Sequence, residues 1–348
     1  MSSLAMLVVC AVVFIVSWRL SRWLSSPDCF FAIIDHPNER SLHSRPVPRT
    51  GGLAIIIAAG VGIGLLPAIA GVHPNPALGW LGLSTTLVAG ISLLDDRYDL
   101  SSGGRIAVHF IAAWLLIEGN GWALDAIEFG GRMFPLWHGV GLGLSVLFVV
   151  WTINLYNFMD GMDGFAAGMA VIGFAALALI GFVYGDGWSY GGVSLVVAAA
   201  ALGFLTVNFP PARIFMGDVG SSTLGLAVAA VILWGSALGY FELWLGVLIF
   251  SPFYIDATVT LVRRILGGEK FWQAHRSHYY QRLVQFGWGH RRTTVAEYLL
   301  MLACASTAYF ATGVARSYHL WIALFWICVY AGFMWMIGYA EKRKERHS

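Results

Sequence analysis

Long apolar runs alternate with short polar intervals along the whole chain, and within the runs apolar and polar residues do not alternate two by two. Eleven such runs centre near residues 4–24, 51–72, 77–94, 106–124, 137–155, 166–184, 190–207, 220–239, 242–263, 295–314 and 319–340. Each approaches the roughly 20 residues that a helix needs to cross a bilayer. A helix satisfies its own backbone hydrogen bonds in lipid, whereas membrane strands would show a polar–apolar period of two. The pattern predicts an all-α, polytopic integral membrane protein of about eleven transmembrane helices. The first run, Leu4 to Trp18, has no basic segment before it and no Ala-x-Ala site after it, so it reads as a span and not as a cleaved leader.

Composition sharpens this. Of 348 residues, 58% are hydrophobic and 11% charged, with a mean hydropathy of +0.71, whereas a soluble domain carries about a quarter charged residues. A soluble fold is excluded. The net charge of +2 comes with no dense basic stripe outside the tail Glu341–Arg346, so no nucleic-acid partner is expected. The four cysteines form no CxxC pair, which points away from a zinc site or a disulfide framework. When the loops are assigned alternately to two sides, nineteen Lys and Arg fall on one and only Arg132 and Arg316 on the other. The basic side is expected to be cytoplasmic, with the N-terminus outside and the C-terminus inside. No linker divides the chain, so residues 1–348 read as one membrane-embedded domain whose loops near 25–50, 95–105, 156–165, 208–219 and 264–294 share the basic side.

The unusual polar residues gather in those same loops. Asp95 and Asp96 end the third run, near Asp99 and Arg105; they are a metal- or phosphate-handling pair, a general base, or two acids exposed at a helix end. In Asn154-Leu-Tyr-Asn157-Phe-Met-Asp160-Gly-Met-Asp163-Gly, polar residues recur every third position, which on a continued helix stacks them on one face. The segment from Asn208 to Ser222 holds Asp218 between glycines. It is either a carboxylate for a hard divalent cation, with backbone amides meeting phosphate, or a cap for the next helix. His275, Arg276, His278 and Arg282 resemble a polyanion clamp, and Asp256 is expected to balance Arg263 or Arg264. The first loop, through Arg40, His43, Arg45 and Arg49, is basic enough to steer an anionic headgroup. His73, His109, His138 and His319 are assigned to structure or solvent. Chemistry at a membrane surface fits this distribution better than a transporter of a nucleotide-sugar or other anion, whose ionisable groups would sit mid-span.

Five segments in this order, RPVPRTGG, LLDDRYDL, NLYNFMDGMDG, Asn208–Ser221 and HRSHYYQR, resemble the polyprenyl-phosphate N-acetylhexosamine-1-phosphate transferases of glycosyltransferase family 4. The likeness runs from about residue 35 to 282. It implies ten or eleven membrane helices and transfer of a sugar 1-phosphate from a UDP-N-acetylhexosamine to undecaprenyl phosphate. By that resemblance Asp95 and Asp96 attend the lipid phosphate, and Asp218 is the Mg²⁺ ligand, Mn²⁺ being able to substitute. Asn157, Asp160, Asp163 and Asn208 surround nucleotide and metal, and His275 and His278 meet the diphosphate or sugar. Asp95, Asp96 and Asp160 are the candidate catalytic residues. Arg49, Arg105 and Arg276 join the candidate substrate-binding set. The resemblance further implies a bacterial inner-membrane protein with its site facing the cytoplasm, and it is compatible with a homodimer. The Pro-Leu-His-His-His-Phe run of the pentapeptide translocases is replaced here by Ala-His-Arg-Ser-His-Tyr-Tyr. That points to the O-antigen-initiating branch, with GlcNAc or a 6-deoxy relative such as FucNAc or QuiNAc as the sugar.

Overall fold

The computed structural model describes residues 3–26, 29–31, 33–37, 45–70, 75–98, 100–185, 188–269 and 275–345; Arg40, His43, His73, Asp99 and Arg346 lie outside them. Helices occupy all eleven predicted runs. They are α1 (Ser3–Leu24), α2 (Gly52–Ala70), α3 (Ala77–Tyr98), α4 (Ser102–Asn120), α5 (His138–Phe158), α6 (Phe165–Tyr184), α7 (Trp188–Asn208), α8 (Gly217–Ala237), the pair α9 (Leu243–Ile249) and α10 (Ser251–Leu266), then α12 (Gly289–Thr312) and α13 (His319–Glu345), with a short α11 (Tyr279–Leu283) before α12. Among the described residues nine helical segments are long and apolar enough to cross a membrane. The α4 helix, which carries Arg105, His109 and Glu118, is not one of them. The ninth predicted run is not one straight span: α9 and α10 meet at an 87° bend. Phe250, between them, has non-helical backbone angles, and Pro252 opens α10, where its missing N–H costs nothing.

The α8 helix is the axis of the bundle. Its apolar window is 89% buried within the protein, against 17% for α13. Small residues let its neighbours close on it. A Cβ on Gly52 would stand 2.2 Å from the backbone nitrogen of Gly220, so the starts of α2 and α8 touch backbone to backbone. Polar side chains inside the bundle are satisfied locally, as where the Ser17 hydroxyl donates to the Ala200 carbonyl at 2.6 Å and Ser84 to Ala112 at 2.9 Å.

The short strand β1 (Ile34–Asp35) pairs antiparallel with β2 (Val47–Pro48). The chain after β2 then fastens to the turn before α8. Phe215 N–H donates to Pro48 O at 2.7 Å, Gly51 to Phe215 O at 3.0 Å and Gly52 to Met216 O at 2.8 Å. These bonds explain the compact Pro-Val-Pro-Arg-Thr-Gly-Gly segment, which holds Arg49 over the ends of α3 and α8. At the opposite end, β3 (Ala126–Phe129) and β4 (Arg132–Pro135) form a hairpin. It is tied to buried Glu242, whose carboxylate accepts from Trp244 Nε1 at 2.7 Å and stands 2.9 Å from His319 Nδ1. The structural assignment of His319 is thereby confirmed.

Candidate active site

The end of α3, the end of α5 and the start of α8 converge on one polar cavity of about 220 Å³. Arg49, Asp96, Asn157, Asp160, Asp163, Asn208 and Asp218 all line it, so seven of the twelve candidate residues meet in one place.

Asp218 lies in the first turn of α8. Its Oδ1 accepts from Asn157 Nδ2 at 3.0 Å, and its Oδ2 from Arg105 Nη1 at 3.0 Å. The residue at the cap of α8 is Met216, which makes no side-chain capping bond. Asp96 takes that task from α3: its Oδ2 accepts from Val219 N–H at 3.3 Å, placing a carboxylate at the positive end of the helix. Arg49 completes the arrangement, with Nη2 donating to the Asp96 carbonyl at 2.6 Å and Nε 3.5 Å from its carboxylate. Gly217, at φ +70°, makes the turn between them; a Cβ there would fall 2.1 Å from the Arg49 carbonyl.

Asp95 points the other way. It accepts from Leu100 N–H at 2.8 Å and pairs with Arg105, so one guanidinium joins Asp95 to Asp218.

The regular three-residue spacing does not build a helical face. α5 ends at Phe158, so only Asn154 and Asn157 are on it, and Asp160 and Asp163 stand in the following turn. Gly164, at φ +72°, turns the chain there. Asn154 turns to Val150 O at 2.7 Å and to His109. Burial holds the Asp160 carboxyl well above the ordinary carboxylate range, and Asp218, Asp96 and Asp163 add to this. Asp163 accepts from Ala212 N–H at 3.0 Å and lies 3.2 Å from His290 Nδ1. Asn208 spends both ends of its amide on the scaffold, accepting from Gly164 N–H at 2.9 Å and donating to Ile214 O at 2.8 Å. It positions the Asp160–Asp163 turn against the turn before α8.

The histidine loop departs from expectation. His275, Arg276 and His278 do not line the cavity. His278 is 4% exposed, with Nδ1 3.3 Å from Asp256 Oδ1. Asp256 does not balance Arg263 or Arg264. It accepts from Thr260 and from Tyr279 and Tyr280 N–H at 2.9 and 3.0 Å, anchoring the start of α11. Arg264 pairs with Glu269, and Arg263 donates to Ser277 O. Burial, then His278, Arg264 and Arg263, lower the His275 pKa to about 4, so at neutral pH it is a neutral hydrogen-bonding ring. From this part of the chain Gln281 and His290 reach the cavity instead. His290 carried no motif; the only sign was its place after Gly287 and Gly289, both at positive φ, which turn the chain back toward Asp163.

Residues 78–236 match the model of a family described as glycosyl transferase family 4. The chain is 33% identical over 310 residues to a probable undecaprenyl-phosphate N-acetylglucosaminyl 1-phosphate transferase of Bacillus subtilis, covering 88% of this chain and 83% of that protein. The chain belongs to glycosyl transferase family 4. Within the family it is also 31% identical to a decaprenyl-phosphate N-acetylglucosaminephosphotransferase of Mycolicibacterium smegmatis, over 86% of this chain and 81% of that one. A phospho-N-acetylmuramoyl-pentapeptide-transferase of Desulforudis audaxviator is 28% identical, over 76% and 84%. The family-matched segment contains every acidic residue assigned to the cavity in the sequence, together with Arg105, Asn157 and Asn208, whereas Arg49 and the histidine loop lie outside it.

Proposed function

We propose that this protein transfers an N-acetylhexosamine 1-phosphate, GlcNAc or a 6-deoxy relative, from a UDP-sugar to undecaprenyl phosphate. UMP is released, and a lipid-linked cell-surface polysaccharide such as O-antigen is begun. The observation that carries the reading is the convergence of Asp96, Asp160, Asp163 and Asp218, with Arg49, on one polar cavity at one end of a membrane bundle. The names of the relatives supply the chemistry. A lipid phosphate oxygen attacks the sugar-proximal phosphorus of the donor, a new P–O bond forms, and the bridging oxygen leaves with UMP.

The donor set fits a Mg²⁺ or Mn²⁺ ion. Five aspartates, Asp35, Asp96, Asp160, Asp163 and Asp218, line one cavity with Arg49, a donor set rich in hard oxygens. Among the described residues no three His, Cys, Asp or Glu side chains are grouped to hold an ion by themselves. That suits Mg²⁺, which takes one or two carboxylates and completes its shell with water and phosphate oxygens. Asp218 would hold it, and when bound the ion supplies charge neutralisation for the diphosphate. The chain's own work is orientation: Asn157 and Arg105 fix the two Asp218 oxygens, Asp96 and Arg49 fix the start of α8, and Asn208 fixes the turn carrying Asp160 and Asp163. Preset electrostatics of this kind lower the barrier without reorganisation during the reaction.

The same reading places the cavity on the cytoplasmic face of the bacterial inner membrane. Its test is an assay of membranes containing the protein with Mg²⁺, undecaprenyl phosphate and a panel of labelled UDP-sugars. One UDP-N-acetylhexosamine should give a lipid-linked product; label transfer from none of them overturns the proposal.

A further inference from the structure

A second polar space, of about 30 Å³, shares Asn157 and Asp218 with the large cavity and reaches between α3, α4 and α5. Ser92, Arg105, His109, Asn154 and Ser222 complete its polar wall. A water-sized group needs about 10–15 Å³, so the space admits one or two oxygens and no more.

His109 is 4% exposed and stands one helical turn beyond Arg105 on α4. Its hydrogen bonding fixes its tautomer. Asn154 Nδ2 donates to the Val150 carbonyl at 2.7 Å, which sets the amide's orientation. The same Nδ2 lies 3.4 Å from His109 Nδ1, so Nδ1 accepts and the ring proton belongs to Nε2. That Nε2–H is buried with no hydrogen-bond partner among the described residues. A buried donor left unmade is costly. An acceptor oxygen brought into the space removes that cost, beside the Arg105 guanidinium and two serine hydroxyls. Its one apolar wall is Phe158 at the end of α5, a ring that is also exposed on the outer surface. One anionic oxygen inside and a hydrocarbon chain outside describe a lipid phosphate.

We propose that this space seats one phosphate oxygen of the polyprenyl-phosphate acceptor, with His109 donating to it through Nε2–H. The proposal rests on the transferase reading above. The donor's diphosphate offers the same oxygen chemistry, and the experiment separates the two sources. Purified wild type, His109→Leu and His109→Gln are compared by varying undecaprenyl phosphate and the productive UDP-sugar separately. Binding of labelled undecaprenyl phosphate, without donor, is measured in nanodiscs, with undecaprenol as the phosphate-free control. His109→Leu removes an unpaired buried donor and should fold. It should raise the KM for undecaprenyl phosphate and weaken its binding roughly ten- to hundredfold, the loss expected for a hydrogen bond to a charged group. The KM for the UDP-sugar and the binding of undecaprenol should stay unchanged. His109→Gln, which keeps an amide donor, should recover most of the loss. Wild-type affinity for the lipid phosphate in His109→Leu means the space holds only water, and a change confined to the donor KM assigns it to the diphosphate; either result overturns the proposal. Wild-type protein that binds the lipid but transfers no sugar phosphate defeats the transferase reading alone, and the binding comparison still decides for or against His109.

Discussion

Arg105 Nη1 lies 3.0 Å from Asp218 Oδ2 while the same nitrogen also pairs with Asp95, so two acids 123 residues apart in the chain are joined through one guanidinium. This bridge ties the end of α3 to the start of α8. It makes Arg105 a structural and electrostatic part of the site. Arg105→Lys keeps one charge, but on a shorter side chain whose nitrogen falls short of the point where Nη1 meets both carboxylates. Turnover should drop at least tenfold, with the bundle still folded. Wild-type kinetics in Arg105→Lys would show that the bridge is incidental.

Asp218→Asn keeps an oxygen that can accept from Asn157 but removes the anion that a hard cation requires. Folding and membrane insertion should be nearly intact and turnover reduced by roughly two orders of magnitude or more, the size of loss seen when one strong electrostatic element is removed. Purified protein assayed over a wide Mg²⁺ and Mn²⁺ range checks this. Undiminished turnover at ordinary Mg²⁺ would move the metal away from Asp218.

Asp160 yields a pH-dependent stability prediction. Its carboxyl is held well above the usual range, first by burial and then by Asp218, Asp96 and Asp163. A raised folded-state pKa favours the protonated fold, so its contribution is complete below the ordinary carboxylate pKa and is lost as pH rises through the folded value. Asp160→Asn removes the ionisation altogether. In EDTA, thermal unfolding should show this variant more stable than wild type at pH 8, with a smaller difference at pH 5, although it is a poor enzyme. A variant equally destabilised at both pH values would contradict the assignment.

Asp256 makes a different kind of claim. Its carboxylate collects the backbone of Tyr279 and Tyr280, His278 and Thr260, and Asp256→Ala leaves those donors buried and unpaired. A loss of about 3 kcal/mol in stability is expected, within the cost of breaking a buried charged network. Proteolysis near residue 278 should become faster before the rest of the bundle opens. Unaltered protection there would show that the histidine loop is held by something else.

The sequence made most of the helices legible because, among the described residues, nine helical segments are long and apolar enough to cross a bilayer, and hydropathy alone marks such segments. Hydropathy could not show the 87° break at Phe250, because it averages over the run; Pro252, which opens α10, was its one local sign. Asp96, Asp160, Asp163 and Asp218 were readable as unusual charges on an apolar background, and the structure brings them together. Their separate tasks were not readable. That Asp96 caps α8 and Asn208 ties two turns depends on contacts between segments more than a hundred, and about forty, residues apart. Where His275 and His278 stand was not readable, because a polar loop motif looks the same whether its rings line a cavity or, as His278 does here, meet a buried aspartate. His290 was missed because a lone histidine after two glycines has no pattern until the chain turn is seen.

Topology has its own test. The acidic cavity and the 126–135 hairpin lie at opposite ends of the bundle, and the basic residues favour the cavity end as cytoplasmic. In intact cells a cysteine at Gly130 should be labelled by an impermeant reagent, and one at Gly268 should not. The reverse labelling would put the site outside.

The identity of the nucleotide released tests the central claim most directly. Purified protein given Mg²⁺, undecaprenyl phosphate and the productive UDP-sugar should release UMP in step with lipid-diphosphate-sugar. Excess UMP added to the isolated product should regenerate the UDP-sugar. Release of UDP alone, with no reversal by UMP, would mean that the sugar is transferred without its phosphate and would contradict the account.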